Sequence, residues 1–198
     1  LGRLARLVEL IEAPYFSDHL CFTRAGGVSL GSLNPLPRSS DLARELGAKA
    51  QRVQRAVGVP LILENITYHV DLKTEITEAE FIAEFCEHCD CGLLLDVTNL
   101  YTNSVNHHFD PLSFLDVIPT ERVVQVHLAG GVEEPAALID SHSAPVPEPV
   151  WELFDELLRR VPLKAALIER DQDFPDDFGE LVSEVGRTRS AMQAAVTA

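Results

Sequence analysis

The sequence predicts an α/β fold in which helices cover a parallel sheet that curves into a (β/α) barrel of the TIM type. Short apolar runs alternate with amphipathic segments of helical period along the 198 residues, a pattern typical of parallel strands buried on both faces. Each apolar run ends in a polar or ionisable residue, and chemistry collects at the carboxyl ends of strands in such folds. The first run is not followed by a glycine-rich phosphate loop, which disfavours a nucleotide-binding doubly wound sheet.

The predicted strands are five runs rich in apolar residues. In chain order they are Tyr15–Phe22, Pro60–Ile66, Gly92–Leu100, Arg122–Gly130 and Leu163–Asp171. The segments with apolar residues at helical spacing are Gly2–Ala13, Ser40–Gly58, Thr77–Cys89, Asp110–Ile118, Val150–Arg160 and Phe174–Ala195. Ser40 or Asp41 is a suitable N-cap for the second helix, and Thr77 with Glu80 fits a capping box for the third. Residues 31–39 and 131–149 are expected to be loops.

Size and composition set the broad class. The chain is 46% hydrophobic and 24% charged, an ordinary globular mix, and we expect residues 1–198 to form one domain. An eight-stranded barrel usually needs about 250 residues. The sequence therefore predicts a barrel that lacks two or three strand–helix units at its N-terminal side, and the start at Leu1 within a helical pattern agrees with this expectation.

Charge and cysteine content limit the classes of partner and the cellular compartment that we expect. A net charge of -15 repels a phosphate backbone, so nucleic acid is not an expected partner. The sequence has no apolar run of membrane-spanning length and no signal-peptide pattern, so a cytoplasmic protein with free thiols is expected. Cys86, Cys89 and Cys91 resemble half of a zinc site, but the chain has no second cysteine pair to complete it. We expect them to be apolar core residues.

Ionisable side chains end all five predicted strands. They are His19, Glu64, Asp96, His127 and Glu169. Because the carboxyl ends of parallel strands meet at one rim, these groups are expected to converge. Carboxylates that crowd together repel each other unless a positive charge lies between them. The pattern therefore predicts a shared metal centre.

Further candidate ligands lie just outside the strands. Asp140 and His142 follow the fourth strand and could fold over the same rim, and Asn99 lies three residues after Asp96. Oxygen and imidazole ligands without thiolate suit iron, manganese or zinc in a catalytic site more than a closed structural zinc. The candidates outnumber the ligands of one ion, so two or three ions are expected.

These residues also have ordinary structural explanations. A single acidic residue at a strand end is usually a helix N-cap or a salt-bridge partner, but five strand ends that agree favour a common site. Asp18 is expected to orient a histidine rather than to bind metal. His107 could contact a substrate or pack within its loop. The histidines expected on the solvated surface are His69, His88 and His108.

Six motifs occur in a fixed order between Tyr15 and Asp171: SDHLCF, LENIT, LLLDVTNLYTNSVNHHFDP, VVQVHLAG, DSHSAPVPEPVWEL and LIERD. Together they resemble the multinuclear non-haem iron-dependent oxidases, xylose-isomerase-like barrels that modify cysteines of ribosomally made peptides. The resemblance implies iron ligands at His19, Glu64, Asp96, His127, Asp140, His142 and Glu169. Asn99 stands where some members have a ligand histidine.

The resemblance also implies an activity. We expect two or three iron ions, O2 as cosubstrate, and removal of hydrogen from the β carbon of a cysteine in a precursor peptide. Asp96, His127 and Glu169 are the expected catalytic residues. A separate peptide-binding partner protein is common in the family. Members carry another histidine on an early strand that this chain does not include, so the 198 residues alone are expected to be a poor catalyst.

Two other functions stay open on the sequence. Xylose-isomerase-like barrels also include metal-dependent sugar isomerases and zinc endonucleases. The net charge of -15 disfavours an endonuclease, and the single Trp with no lysine at a strand end disfavours a sugar isomerase. The second alternative is a truncated, non-catalytic relative that binds metal or peptide. An upstream barrel segment with a histidine, beside a gene for a short cysteine-rich peptide, would favour the oxidase.

Overall fold

The computed structural model describes residues 1–72 and 74–197. Its strands are β1 (Phe16–His19), β2 (Phe22–Ala25), β3 (Val28–Asn34), β4 (Leu61–Glu64), β5 (Gly92–Asp96), β6 (Val123–Leu128), β7 (Gly130–Glu134), β8 (Ala137–Ala144) and β9 (Ala165–Ile168). Its α-helices are α1 (Gly2–Leu10), α2 (Ser40–Val57), α3 (Glu78–Glu87), α4 (Val97–His107), α5 (Pro111–Val117), α6 (Glu148–Arg160) and α7 (Gly179–Thr197). None of the helices in this part of the chain is long and apolar enough to span a membrane.

Five strands form one parallel sheet in the order β1-β4-β5-β6-β9. Each of the five predicted apolar runs supplies one of them, so the predicted α/β class is confirmed. The register pairs His19 with Glu64 and Asp96 with His127. These four residues end or nearly end their strands, and the register therefore brings their side chains to one edge of the sheet. Among the described residues the outermost strands, β1 and β9, each pair on one side only.

The helices bury one face of the sheet. Leu63, Leu93 and Leu95 pack into a core cluster with the most deeply buried residues of α3 and α6, which include Phe85 and Phe154. Since successive side chains of a strand point to opposite faces, Glu64 and Asp96, which follow Leu63 and Leu95, point away from this core cluster. The core thus fixes the face on which the strand-end carboxylates stand.

The cysteines of α3 and the following turn lie in that core. Cys86, Cys89 and Cys91 are buried and free, and the Cys89 thiol donates to the Phe85 carbonyl oxygen over 3.6 Å. They pack as small apolar residues, as the sequence predicts.

Helix starts agree with the sequence in one case and differ in another. The capping box of Thr77 and Glu80 is present with both reciprocal bonds. The N-cap of α2, however, is Ser39, whose side chain accepts the N–H of Leu42, and not Ser40 or Asp41. Three capping residues in succession made the sequence position ambiguous by one or two residues.

Two segments predicted to be loops contain antiparallel hairpins. The hairpin of β2 and β3 includes residues 31–34, and the hairpin of β7 and β8 occupies most of 131–149. β3 of the first hairpin is largely exposed and β8 of the second is mostly half-buried, but neither carries the apolar alternation typical of a strand that buries one face. Gly26 and Gly27 supply positive φ angles of 55° and 83° in the first turn. Each hairpin follows a sheet strand and therefore stands beside the rim.

The structure also differs from the sequence prediction in the residues that follow Asp96. Residues 97–100 belong to the first turn of α4 rather than to the preceding strand. The Asp96 side chain accepts the Asn99 N–H at 2.7 Å and acts as the N-cap of this helix. Val97 and Thr98 favour strands by propensity, but the cap decides where the strand ends.

Candidate metal centre

Four of the predicted ligands meet at the rim of the sheet. One ligand atom each from Glu64, Asp96, His127 and Glu169 lies within 4.8 Å of all the others. His127 Nδ1 is 3.0 Å from Glu64 Oε1 and 3.0 Å from Glu169 Oε2. Asp96 is fully buried and His127 is 9% exposed. The convergence that the strand ends predict is therefore present in the structure, while metal binding by these residues stays a prediction.

The second hairpin brings two further predicted ligands to the same place. His142 Nε2 lies 2.7 Å from Asp140 Oδ1 and 3.9 Å from Asp96 Oδ2, and His142 Nδ1 lies 3.4 Å from Glu169 Oε2. His142, Glu169 and Asp171 form a second group whose ligand atoms are close enough to hold an ion. Because Glu169 belongs to both groups, the arrangement suits two ions that share one carboxylate.

The backbone of His142 is held in an unusual conformation. Its φ is +47°, a region that non-glycine residues rarely adopt. The N–H of Asp171 donates to the His142 carbonyl oxygen at 2.9 Å, and Arg170 donates to the carbonyl oxygen of Ser143 at 3.1 Å. The segment after β9 thus fixes the hairpin at the residue that faces Glu169.

His19 lies at the open side of the rim. Its Nε2 is 3.5 Å from Glu64 Oε2, and 43% of its side chain is exposed. Asp18, which the sequence predicts to orient a histidine, accepts the backbone N–H of His19 at 2.8 Å. This bond acts on the backbone of His19 and leaves its imidazole free to turn toward Glu64.

Asn99 is tied into the scaffold below the rim. Its Oδ1 accepts from the Thr67 hydroxyl at 2.6 Å, and its Nδ2 donates to the Asn65 carbonyl oxygen at 3.1 Å. Asn65 in turn bonds the backbone of Asp96 through both ends of its carboxamide. The role of Asn99 as a ligand stays a prediction, whereas these hydrogen bonds give it a part in holding Asp96.

Burial and charge shift the pKa values of the rim residues. Burial, only partly offset by the Asn99 N–H, raises the pKa of Asp96 to about 7. Burial alone would lower the pKa of His127, but Glu169 and Glu64 outweigh it and raise the value to about 10. His142 behaves alike, because Asp140 outweighs burial and raises its pKa to about 9. His127 lowers the pKa of Glu169. Without a metal, protons on the two histidines offset the crowded negative charge.

The orientation of the donor atoms fits a cation. Five buried atoms of the rim have no hydrogen-bond partner in the described part of the chain: Asp96 Oδ2, His127 Nδ1, Asp140 Oδ1, His142 Nδ1 and His142 Nε2. All of them lie within 4.0 Å of an oppositely charged group, but in directions unsuited to hydrogen bonding. Unpaired buried polar atoms are costly. A cluster of buried carboxylate and imidazole atoms without hydrogen-bond partners is what a set of metal ligands presents.

Some residues of the centre are not apparent from the sequence. Asp171 and Gln125 lie two positions from Glu169 and His127, so the two-residue period of a strand could have pointed to them. Asn65 and Tyr15 carry no such signal. His107 stacks on the Tyr68 ring with centroids 4.6 Å apart, and its Nε2 lies 2.8 Å from the Tyr68 carbonyl oxygen, which is the packing role. The three histidines expected at the surface, His69, His88 and His108, are exposed.

Comparison with solved structures bears on the fold. A xylose isomerase domain-containing protein from Salmonella typhimurium superposes with a TM-score of 0.62 at 16% identity, and the alignment covers 97% of this chain and 68% of that one. At this identity the likeness shows the fold alone. It confirms the xylose-isomerase-like TIM-barrel class that the sequence predicts.

Comparison with known sequences bears on the family. A UPF0276 protein of Anaeromyxobacter sp. is 40% identical over all of this chain and 70% of its own length. A UPF0276 protein of Rhizorhabdus wittichii is 38% identical over 98% of this chain and 69% of its own length. Residues 1–193 match the family described as RiPP precursor modification enzyme MbnB/TglH/ChrH. The converging candidate ligands, the barrel fold and these matches agree, and the chain belongs to the MbnB/TglH/ChrH family of RiPP precursor modification enzymes.

Proposed function

We propose that this protein is an iron- and O2-dependent oxidase that modifies a cysteine of a ribosomally made precursor peptide. The observation that carries the proposal is the pair of ligand groups that share Glu169. The family supports a peptide substrate. The choice of iron, O2 and cysteine rests on the resemblance of the sequence motifs and on the donor set, which combines carboxylates with imidazoles and suits redox-active iron.

Glu64, Asp96, His127 and Glu169 would hold one ion, and His142, Glu169 and Asp171 a second, with Asp140 beside His142. Iron in such a centre supplies open coordination positions at which a thiolate and O2 can be activated together. The chain contributes the negative charge that favours metal over protons. It also fixes the ligand positions through the sheet register and the bonds to Asn65 and Asp171.

The two sides of the centre differ in access to solvent. Asp96 is fully buried, so its side of the centre is shielded from water. His19 and Asp171, whose side chains are 43% and 66% exposed, lie on the opposite side. We propose that the peptide enters on that side and that its cysteine would reach the metal centre there.

The open edges of β1 and β9 suggest how the centre is completed. A TIM-type barrel closes all strand edges, and unpaired edges are a liability. We propose that strands outside these 198 residues pair with β1 and β9 and complete the barrel. Supplying a segment that closes it should raise stability and activity together, and equal activity without it would contradict this part of the proposal.

The test is direct. The protein is purified without oxygen, loaded with Fe2+, and the iron per chain is measured. It is then mixed with a cysteine-containing peptide encoded beside its gene, with and without O2, and the peptide mass is recorded. The proposal expects more than one iron per chain and an O2-dependent mass change that Glu169→Gln abolishes. A mass change that does not depend on O2, or tight binding of zinc with no response to iron, would overturn it.

A further inference from the structure

A hydrogen-bonded relay joins the β1 edge of the sheet to His127. The Tyr15 hydroxyl donates to Gln125 Oε1 at 2.6 Å, and Gln125 Nε2 lies 3.0 Å from His127 Nε2. Tyr15 directly precedes β1, and Gln125 lies on β6 two residues before His127, so its side chain shares the face of His127. The relay therefore approaches His127 from behind, on the ring nitrogen that points away from the carboxylates.

The two nitrogens of His127 have separate partners. Nδ1 faces Glu64 and Glu169 at 3.0 Å each, so a metal held by this group would bind Nδ1. A neutral imidazole that binds metal through Nδ1 carries its proton on Nε2, and that N–H needs an acceptor. The Gln125 carboxamide, whose Nε2 lies 3.0 Å from His127 Nε2, is placed to provide it. Metal-ligating histidines more often use a carboxylate or a backbone carbonyl for this purpose.

A carboxamide can serve this ring in two ways. Its NH2 donates to Nε2 when the proton lies on Nδ1, and its oxygen accepts from Nε2–H when the proton lies on Nε2. A half-turn of the amide exchanges the two. Tyr15 suits both orientations, because a hydroxyl can donate to the amide oxygen or accept from the amide NH2. Neither orientation leaves a polar group of the relay unpaired.

We propose that Gln125, supported by Tyr15, is a positioning residue that sets the ring orientation and tautomer of His127 by presenting its amide oxygen to the Nε2 proton when metal binds at Nδ1. The inference rests on the metal centre of the proposed function and adds a role for two residues behind it.

Co2+ titration of the metal-depleted chain tests the relay, with visible absorption as the readout of binding and ligand geometry. Gln125→Met keeps the shape of the side chain but removes both polar functions, and loss of such a partner weakens metal binding by about 10–100-fold. Gln125→Glu retains an acceptor for Nε2–H and for Tyr15, so it should recover most of the affinity. Tyr15→Phe should cause a smaller loss.

The matched control is Gln51→Met. Gln51 also accepts a hydrogen bond through its side chain, from the Asp90 N–H at 2.8 Å, but it lies on α2, outside the rim. Its replacement should leave Co2+ affinity and the visible spectrum unchanged. Thermal unfolding of the metal-free variants shows whether each one folds. If Gln125→Met fails to fold, Tyr15→Phe carries the test, because it removes only the end of the relay.

The outcomes separate this inference from the proposed function. If the unmodified chain binds no Co2+, the metal centre itself is wrong and the inference falls with it. If the unmodified chain binds Co2+ and Gln125→Met binds it equally, only the positioning role is overturned. A Gln125→Glu variant as weak as Gln125→Met would also overturn it, since an acceptor at this position would then have no effect. If Gln125→Met does not fold, an unchanged Co2+ spectrum in Tyr15→Phe would also overturn the positioning role.

Discussion

The carboxamide of Asn65 pairs with the backbone of Asp96 on both sides. Asn65 Oδ1 accepts the Asp96 N–H at 2.9 Å, and Asn65 Nδ2 donates to the Asp96 carbonyl oxygen at 3.0 Å. Both residues are buried. This pair extends the contact between β4 and β5 beyond the last ladder bond and fixes the point at which Asp96 leaves the sheet.

Asn65→Ala should therefore damage both the fold and the centre. It leaves two buried backbone groups of Asp96 unpaired, at a cost on the order of 2–4 kcal/mol in the free energy of unfolding. Displacement of Asp96 should also lower the iron bound per chain. Chemical denaturation and metal analysis measure the two effects.

Asn106→Ala is the matched control for that variant. Asn106 lies on α4 and bonds the backbone of Leu138, in the second hairpin, in the same two-sided way, with both distances 2.9 Å. It should lower stability while leaving Asp96 in place. Equal iron binding in the Asn65→Ala variant and the unmodified protein would contradict the role given to the Asn65–Asp96 pair.

Removal of Asp140 or His142 should lower the iron bound per chain. His142 faces Asp96 and Glu169 from the hairpin, and Asp140 pairs with His142, so Asp140→Ala and His142→Ala each remove a candidate ligand. Elemental analysis of anaerobically loaded protein provides the measurement. Asp116→Ala, which removes an exposed carboxylate paired with Arg160, should have no effect. Unchanged iron stoichiometry in both rim variants would refute their role as ligands.

Gly130→Ala should move the second hairpin. A Cβ at Gly130 would lie 2.0 Å from the Pro145 carbonyl oxygen and 2.4 Å from that of Ala144, so the strand that carries His142 must shift. We expect lower stability, by about 1–3 kcal/mol, and loss of the metal position that His142 serves. Gly186→Ala in α7 meets nothing within 4 Å and should stabilise the protein by roughly 0.5–1 kcal/mol. Thermal unfolding and metal stoichiometry distinguish the two, and similar behaviour of the two variants would contradict the prediction.

The metal-free protein should lose stability as the pH rises from about 7 to about 10. The pKa of His127 in the folded chain is about 10, above its ordinary value near 6.5. Such a histidine stabilises the fold fully below its unfolded pKa, and this contribution is lost as the pH rises through the folded pKa. His142 acts in the same direction, with a pKa of about 9.

Urea denaturation across this pH range measures the effect, which should be on the order of 1 kcal/mol per pH unit. His127→Gln should flatten the slope. Metal binding should change its sign, because the ligands bind metal only when deprotonated and affinity then increases with pH. If the free energy of unfolding of the metal-free protein stays constant between pH 7 and 10, the carboxylates do not raise the pKa values of His127 and His142.

The sequence predicted those parts of the molecule that depend on periodicity. Apolar runs predicted the sheet strands, and the ionisable residues at their ends predicted which side chains, such as Glu64 and His127, meet at the rim. It predicted neither the two hairpins nor the links between residues distant in sequence. The hairpin strands lack apolar alternation. The links of Asn65 to Asp96 and of Tyr15 to Gln125 join positions 31 and 110 residues apart, which no local pattern encodes.

The two carboxylate oxygens of Asp96 contact different groups. Oδ1 caps α4 through the Asn99 N–H, while Oδ2 faces His142 and the ligand cluster. A descendant of this protein that lost its chemistry would still gain from an Asp or Asn here, since the helix needs a cap regardless of any reaction. Asp96 alone is therefore a poor marker of which relatives remain enzymes. The side chains of His127 and Glu169 cap no helix in the described part of the chain. Substitutions at these two positions should therefore be the first sign that a relative has lost the activity.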